Sequence, residues 1–208
     1  MIGSDIMLEK LDKKELTSFI CLLVIICGFI GWCAEVFFYY MDSGFETIYW
    51  RGGNFLPWIN IYAWGALLML TLSYKNREHP LHVFLISMAS AGLLELLSGY
   101  LLYGVLGWTK SWDYNQEILS GFTIGGYVSL RSIVGFGVGG LFLIYILAPL
   151  LIKLVTSKYK KQIFIISIVL VSIIMIDEVY NLVVAYLIHT PRARDIYRPL
   201  GFKYLYFK

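Results

Sequence analysis

The chain has 208 residues, 59% of them hydrophobic and 15% charged, against roughly 45–50% apolar and about 25% charged in an ordinary soluble domain. That balance argues against a water-soluble globule. The 17 Lys and Arg exceed the 14 Asp and Glu by a formal charge of +3, with no basic block long enough to form a nucleic-acid stripe, so nucleic acid is not an expected partner.

Five apolar runs follow one another along the chain. Residues 17–41 form the first, behind a mixed-charge stretch from Asp5 to Glu15 that reads as an interfacial helix or short tail, so that residues 1–16 precede the membrane domain. The run is too long for a signal-peptide core, and Trp32 ahead of Cys33 does not suit lipoprotein cleavage, so it is expected to stay as an anchor. Its cysteines, Cys21, Cys27 and Cys33, match neither a redox pair nor a zinc-ligand spacing and are expected as small buried apolar side chains. Residues 57–73 form the second and shortest run, with Pro57 expected in the first helical turn, and residues 81–107 the third. The stretch 122–154 exceeds the ~20 residues of one crossing; Gly125 and Gly126 predict a short re-entrant segment ahead of a helix over 127–154. Residues 162–189 are the fifth run, followed by a polar, aromatic tail over 190–208. The expected fold is an all-α, polytopic integral membrane bundle of about five transmembrane helices, forming one domain over 17–189.

Positive residues in short flanks are retained on the cytoplasmic side. With five spans, Lys10, Lys13, Lys14, Lys75, Arg77, Lys153, Lys158, Lys160 and Lys161 share one face, while the opposite loops hold Arg51 and Lys110. The amino terminus is therefore predicted cytoplasmic, in a multi-pass protein of the cell membrane that fits a bacterial plasma membrane and contacts its lipids. The tail runs against this rule, carrying Arg192, Arg194, Arg198, Lys203 and Lys208 to the outer side.

Ionisable residues inside the runs each cost roughly 2.5–3.5 kcal/mol at mid-bilayer unless paired or solvated. They are Glu35, Glu95, Arg131, Asp177 and Glu178. Helical spacing groups Glu35 with Gly28 and Gly31, Glu95 with Ser87, Ala91, Ser98 and Gly99, and Arg131 with Gly135 and Gly139, which turns each charge toward small-residue packing faces in the bundle interior. Two loops on the same predicted side add Arg51, between Trp50 and the Gly52-Gly53 pair, and the Trp112-Asp113-Tyr114 element beside Lys110. Arg131 is the expected counter-charge of Glu95, and Arg51 could reach Asp113. The acids Glu35, Glu95, Asp113, Asp177 and Glu178 outnumber Arg51 and Arg131, an excess that requires protonated carboxylates or a bound cation.

No metal-ligand pair and no catalytic constellation is read from the residues, and His79, His82 and His189 fall at segment ends. No cofactor or metal is expected. The stretch Gly104 to Ser111 lacks the glycine that precedes the lysine of a phosphate-binding loop, so ATP-driven work would need a separate ATP-binding chain.

Several motifs together resemble the family called Putative ABC-transporter type IV: Gly31-Trp32-x-x-Glu35, Arg51-Gly52 with Pro57, Ile61-Tyr62-x-x-Gly65, Glu95 with Gly99, and Trp112-Asp113-Tyr114. The resemblance covers about residues 19–152, leaving the fifth run and the tail outside. It departs at Asn60 and at Tyr62-Ala63, where a second proline and a Tyr-Gly pair would stand, and at Leu102 or Tyr103 in place of a glutamate. It implies a permease-like membrane protein of loosely defined activity.

The leading functional expectation is a permease-like component with an outward-facing polar cavity for a small cationic or zwitterionic solute. Glu95 would be the central carboxylate and Glu35, Arg51 and Asp113 the entrance, with Trp112, Tyr114, Arg131, Asp177 and Glu178 completing the binding set. The alternatives are a noncatalytic membrane partner or assembly subunit, including a homo-oligomer, and an intramembrane enzyme acting on a lipid-linked substrate.

Overall fold

A computed structural model describes residues 8–207; the start of the expected interfacial segment, Asp5 to Met7, and the last tail cation, Lys208, lie outside the described residues. Five helices run alternately up and down. They are α1 (Lys13–Asp42), α2 (Asn60–Ser73), α3 (Pro80–Val105), α4 (Leu130–Val155) and α5 (Lys160–Val184). A short α6 (Ala193–Tyr197) lies in the tail, and a two-residue hairpin, β1 (Thr123–Ile124) and β2 (Val128–Ser129), precedes α4.

Four of these helices, α1, α3, α4 and α5, are long and apolar enough to cross a membrane. At 1.5 Å per residue they run about 37–45 Å, beyond the ~30 Å hydrocarbon core. The fifth, α2, has 14 residues and a length of about 21 Å, which falls short.

One end of the bundle carries most of the lysines. There the Asp12 carboxylate caps α1 by accepting the N–H groups of Lys14 and Glu15, while Glu15 accepts the Asp12 N–H in return. Lys160 at the start of α5 sits 2.8 Å from Glu15, so α1 and α5 begin side by side and run parallel. The opposite end is built from loops: residues 43–59, residues 106–129 and the tail.

The loop before α2 dips deep into the bundle. The Trp58 indole inserts into α1, donating to the Val24 carbonyl at 3.0 Å, and the Ile59 N–H donates to the Gly28 carbonyl. A Cβ on Gly28 would lie 2.0 Å from that indole, and one on Gly31 would lie 2.2 Å from the Tyr62 ring. Val24 and Gly28 stand about 16–22 Å along α1, close to the middle of a bilayer that α1 would cross. Non-helical backbone at that depth survives only when buried in protein and hydrogen-bonded. This explains why the helix of the second run begins at Asn60 and leaves Pro57 ahead of it in the loop, not in its first turn.

Ahead of α4 the outcome also differs from expectation. Gly125 and Gly126, at φ of +62° and +73°, turn the β1–β2 hairpin, and the helix starts at Leu130 behind a Ser129 cap instead of at Tyr127. The central core lies toward the lysine end, where Phe19 and Leu23 of α1 meet Met69 and Leu70 of α2, Val83 of α3, and Leu147, Leu151 and Val155 of α4. Of the cysteines, Cys21 is buried as expected, whereas Cys33 is exposed on the apolar surface of α1.

Close packing of α3 on α4 uses Gly92, Gly137 and Gly140. A Cβ on Gly140 would stand 2.0 Å from Ser87 Oγ, and one on Gly137 would stand 2.5 Å from the Phe84 ring. Gly135 and Gly139 do not serve this purpose, because a Cβ at either would meet nothing within 4 Å. The face of Arg131, Gly135 and Gly139 therefore borders open space and is not the small-residue packing seam that its spacing suggested.

Candidate functional site

The open space is a cavity of about 400 Å³ between α1, α2, α3 and α4. Its end near the loops is polar, lined by Glu35, Glu95, Glu117, Arg131, Ser132, Tyr62 and Tyr114; its lysine-end half is apolar, lined by Cys27, Ala66, Met69, Leu143 and Leu147.

Three carboxylates of this cavity have different partners. Glu35 of α1 receives Arg51 Nε at 2.8 Å. The Arg51 guanidinium, buried at 4% exposure, also donates to the Ser111 carbonyl at 2.7 Å and lies 3.9 Å over the Tyr39 ring. A planar fork matched by a carboxylate, a carbonyl and an aromatic face is how a guanidinium tolerates burial. Glu117 takes Arg131 Nη2 at 2.6 Å and the Tyr39 hydroxyl at 2.6 Å. Glu95 has only hydroxyl partners, Tyr114 at 2.5 Å and Ser132 at 2.8 Å, and no ion-pair partner among the described residues.

One expected pair is thereby corrected, and one that the sequence left open is decided. Arg131 does not face Glu95 but holds Glu117 and the Ile118 carbonyl, with its guanidinium 3.9 Å over Phe38. Arg51 reaches Glu35 and not Asp113, which instead pairs with Lys110 at 2.8 Å. Glu117 is the site residue that sequence reasoning missed. It sits in an irregular loop, and its signal would have been an acidic residue close behind the Trp112-Asp113-Tyr114 element.

Asp113 organises that loop. It accepts the Asn115 N–H at 3.1 Å and the Gln116 side-chain amide at 3.2 Å. Its carboxyl is held below the ordinary value: burial alone would raise it, but the Lys110 ammonium together with the Asn115 and Gln116 donors outweighs burial. Gly126 has no side chain because Asp113 Oδ1 would lie 2.2 Å from its Cβ. The Trp112 indole donates to the Tyr127 carbonyl at 3.0 Å, tying loop to hairpin.

Asp177 and Glu178 lie apart from this cavity and clamp the loop that dips before α2. Asp177 accepts the backbone N–H groups of Phe55 and Leu56 at 3.0 and 2.8 Å, and Asn181 Nδ2 at 2.7 Å. Glu178 accepts the side-chain amides of Asn54 and Asn60, both at 2.5 Å. Asn181 in turn accepts the Ala193 N–H, and Tyr197 donates to the Phe55 carbonyl, which anchors the tail over the loop.

A second cavity, of about 560 Å³, lies above the first at the loop end, lined by Trp50, Arg51, Trp58, Asn60, Trp112, Glu178, Arg194 and Tyr204. Trp112 borders both cavities, and the Arg51–Glu35 pair stands between them, with Arg51 facing the upper space and Glu35 the lower.

Long apolar helices around an interior polar cluster define a multi-pass membrane protein. The chain belongs to the family described as Putative ABC-transporter type IV, whose model matches residues 22–182. The match runs through most of α5 and so extends beyond the region over which the sequence motifs resembled that family. No curated protein and no solved structure matches the chain.

Proposed function

We propose that the protein is the permease-like membrane component of a transporter and that its cavities take a small cationic or zwitterionic solute, with Glu95 as the central binding carboxylate. The observation that carries this reading is the inequality of the three cavity carboxylates: Glu35 and Glu117 each have an arginine, whereas Glu95, at 6% exposure, has hydroxyl donors alone. A buried carboxylate without a cation is neutral or awaits one. In this reading the upper cavity is the entrance, the Arg51–Glu35 pair and Trp112 form the partition, and Asp113, Tyr114 and Arg131 hold the walls. Asp177 and Glu178 keep the dipping loop in place.

The arrangement in the cell membrane follows. The transmembrane domain covers residues 17–189, with α1, α3, α4 and α5 crossing and α2 completed as a fifth crossing by its buried loop. The lysine end and the amino terminus are cytoplasmic, and the tail is outside, where Arg194 lies 3.7 Å from Asp195. Energy comes from a separate ATP-binding chain on the cytoplasmic face.

Thermal unfolding of the purified protein with tetramethylammonium and with choline tests the site. Wild type should be stabilised by several degrees at saturating probe, because binding to the native state alone raises its stability, and Glu95→Gln should lose the shift. An equal shift in wild type and Glu95→Gln would overturn the reading.

A further inference from the structure

The lower cavity has features that a site for a water-soluble cation does not need. Beyond Glu95 it continues as an apolar channel down to Met69, Leu143 and Leu147. From Arg131 to Leu147 is about 24 Å along α4, so this half lies at hydrocarbon depth. It is also open sideways. On α1 the lining residues Ile30 and Ala34 are exposed, and on α4 Gly135 and Phe142 are exposed, while Gly135 and Gly139 have no neighbour within 4 Å of a Cβ position. α1 packs on α2, on α5 and on the Ala148–Val155 part of α4, whereas the Leu130–Phe142 part of α4 packs on α3. A window therefore faces the lipid between α1 and α4. The stacking of Arg131 on Phe38 closes it at the loop end.

We infer that the substrate of the proposed site is a bilayer-resident amphiphile with an ammonium head and a single aliphatic chain, entering sideways between α1 and α4. This inference rests on the Glu95 reading and narrows it. Charge complementarity sets the head: Glu95, the one carboxylate of the lower cavity without a cation among the described residues, shares that cavity's lining with Tyr62, Tyr114 and Trp112, and aromatic side chains suit an ammonium. The arginines of the site are already engaged by Glu35 and Glu117, which disfavours an anionic head. The lower channel takes the chain, and the volume of the whole cavity, about 400 Å³, falls within the ~300–1,000 Å³ range of small-molecule sites. The glycines at 135 and 139 leave room for the chain to slide in at the window.

The test uses the full chain in lipid nanodiscs with an alkyl-trimethylammonium carrying a diazirine at its tail end, and maps photolabelled residues by mass spectrometry. Labelling is expected at Cys27, Met69 and Leu143–Leu147, and should fall at least tenfold in Glu95→Gln and in Gly135→Leu. The space at Gly135 accepts a side chain, so the latter variant should melt within a few degrees of wild type, and Gly139→Leu provides a second plug. The same tail on an alcohol head should label only lipid-facing positions such as Phe37 and Trp64. Labelling confined to those positions with the ammonium probe, or undiminished cavity labelling in both plugged variants, overturns lateral entry. If tetramethylammonium still gives a Glu95-dependent thermal shift in that case, the cation site stands and only the amphiphile fails; if neither probe depends on Glu95, both readings fall.

Discussion

Arg51 and Glu35, 2.8 Å apart, form a buried wall between two cavities. The arginine belongs to the loop between α1 and α2 and the glutamate to α1, so the wall joins two elements. The arginine is further fixed by the Ser111 carbonyl and by Tyr39. Movement of the loop, of residues 106–129 or of α1 would therefore strain the same guanidinium.

Removing both charges should open the wall without leaving an unpaired ion inside. In a Cys21→Ser, Cys33→Ser background, Cys27 of the lower cavity reports access to a charged, water-soluble thiol reagent that lipid excludes. The combined Glu35→Gln and Arg51→Gln change should raise its modification rate at least tenfold in liposomes. Either single change should unfold more readily than the pair, because a buried charge deprived of its partner costs about 3–5 kcal/mol.

Glu117 and Arg131 give the cleaner energetic test. The Glu117 side chain is 1% exposed and Arg131 24%, so solvent screens the pair only slightly. Glu117→Gln should lower unfolding stability by about 3 kcal/mol, and adding Arg131→Gln should restore part of the loss. Denaturant unfolding over the double-mutant cycle measures this coupling. Strict additivity of the two changes would mean that the pair does not act as a unit.

The helices and the inward direction of Glu35, Glu95 and Arg131 were legible because hydropathy and a 3.6-residue period act along one segment. What each charge meets was not legible, because that depends on loops without periodicity. Ile118 and Asp42 illustrate this: the Ile118 N–H donates to Asp42 at 3.0 Å, which seats the loop on the end of α1, and nothing in either segment alone announces the contact. The Gly125-Gly126 pair reads in the sequence as part of a short re-entrant segment, and the hairpin it turns was not legible, because the side chain that fills the space of a Cβ on Gly126 comes from Asp113 in the preceding loop. The same limit applied to Asp177 and Glu178. Glu178 lines the upper cavity, yet the partners that hold the two carboxylates, the N–H groups of Phe55 and Leu56 and the amides of Asn54 and Asn60, lie more than a hundred residues away.

Helical glycines of one segment should respond in opposite directions. Gly140→Ala drives a methyl group onto Ser87 Oγ at 2.0 Å and Cβ at 2.4 Å, so α3 and α4 must separate, at a cost of about 1–3 kcal/mol. Gly135→Ala meets nothing and removes freedom from the unfolded chain, for a gain of about 0.4–1 kcal/mol. Melting curves in one detergent would order them Gly140→Ala, wild type, Gly135→Ala. Equal destabilisation by both would show that the window is closed in solution.

Asp113 should make the 106–129 loop sensitive to acid. Its folded carboxyl titrates below the unfolded value of about 3.9 because the Lys110, Asn115 and Gln116 donors overcome the effect of burial. A depressed carboxyl contributes stability that is fully present above the unfolded value and is lost as pH falls through the folded one. The loop should therefore hold at neutral pH and loosen below about pH 4, read as a red shift of Trp112 emission in a variant whose other tryptophans are replaced by Phe. Asp113→Asn should show the loosened spectrum at pH 7 and no acid transition.

Asp177 offers the sharpest check on the dipping loop. The backbone N–H groups of Phe55 and Leu56, both half-buried, have its carboxylate as their acceptor. Asp177→Ala strands both donors, each at about 1–3 kcal/mol, and takes from Asn181, which holds the tail through the Ala193 N–H, one of its two acceptors, leaving the residue-177 carbonyl. Amide exchange at Phe55 and Leu56 should then accelerate by about 10-fold to 100-fold, since about 1.4 kcal/mol corresponds to a factor of ten. The N–H of Ala193 should follow, while the interior of α3 stays protected. Asp177→Asn, which keeps one acceptor oxygen, should fall between alanine and wild type. Unchanged exchange at all three amides in the alanine variant would mean that Asp177 does not hold the loop, and that the burial of its charge needs another explanation.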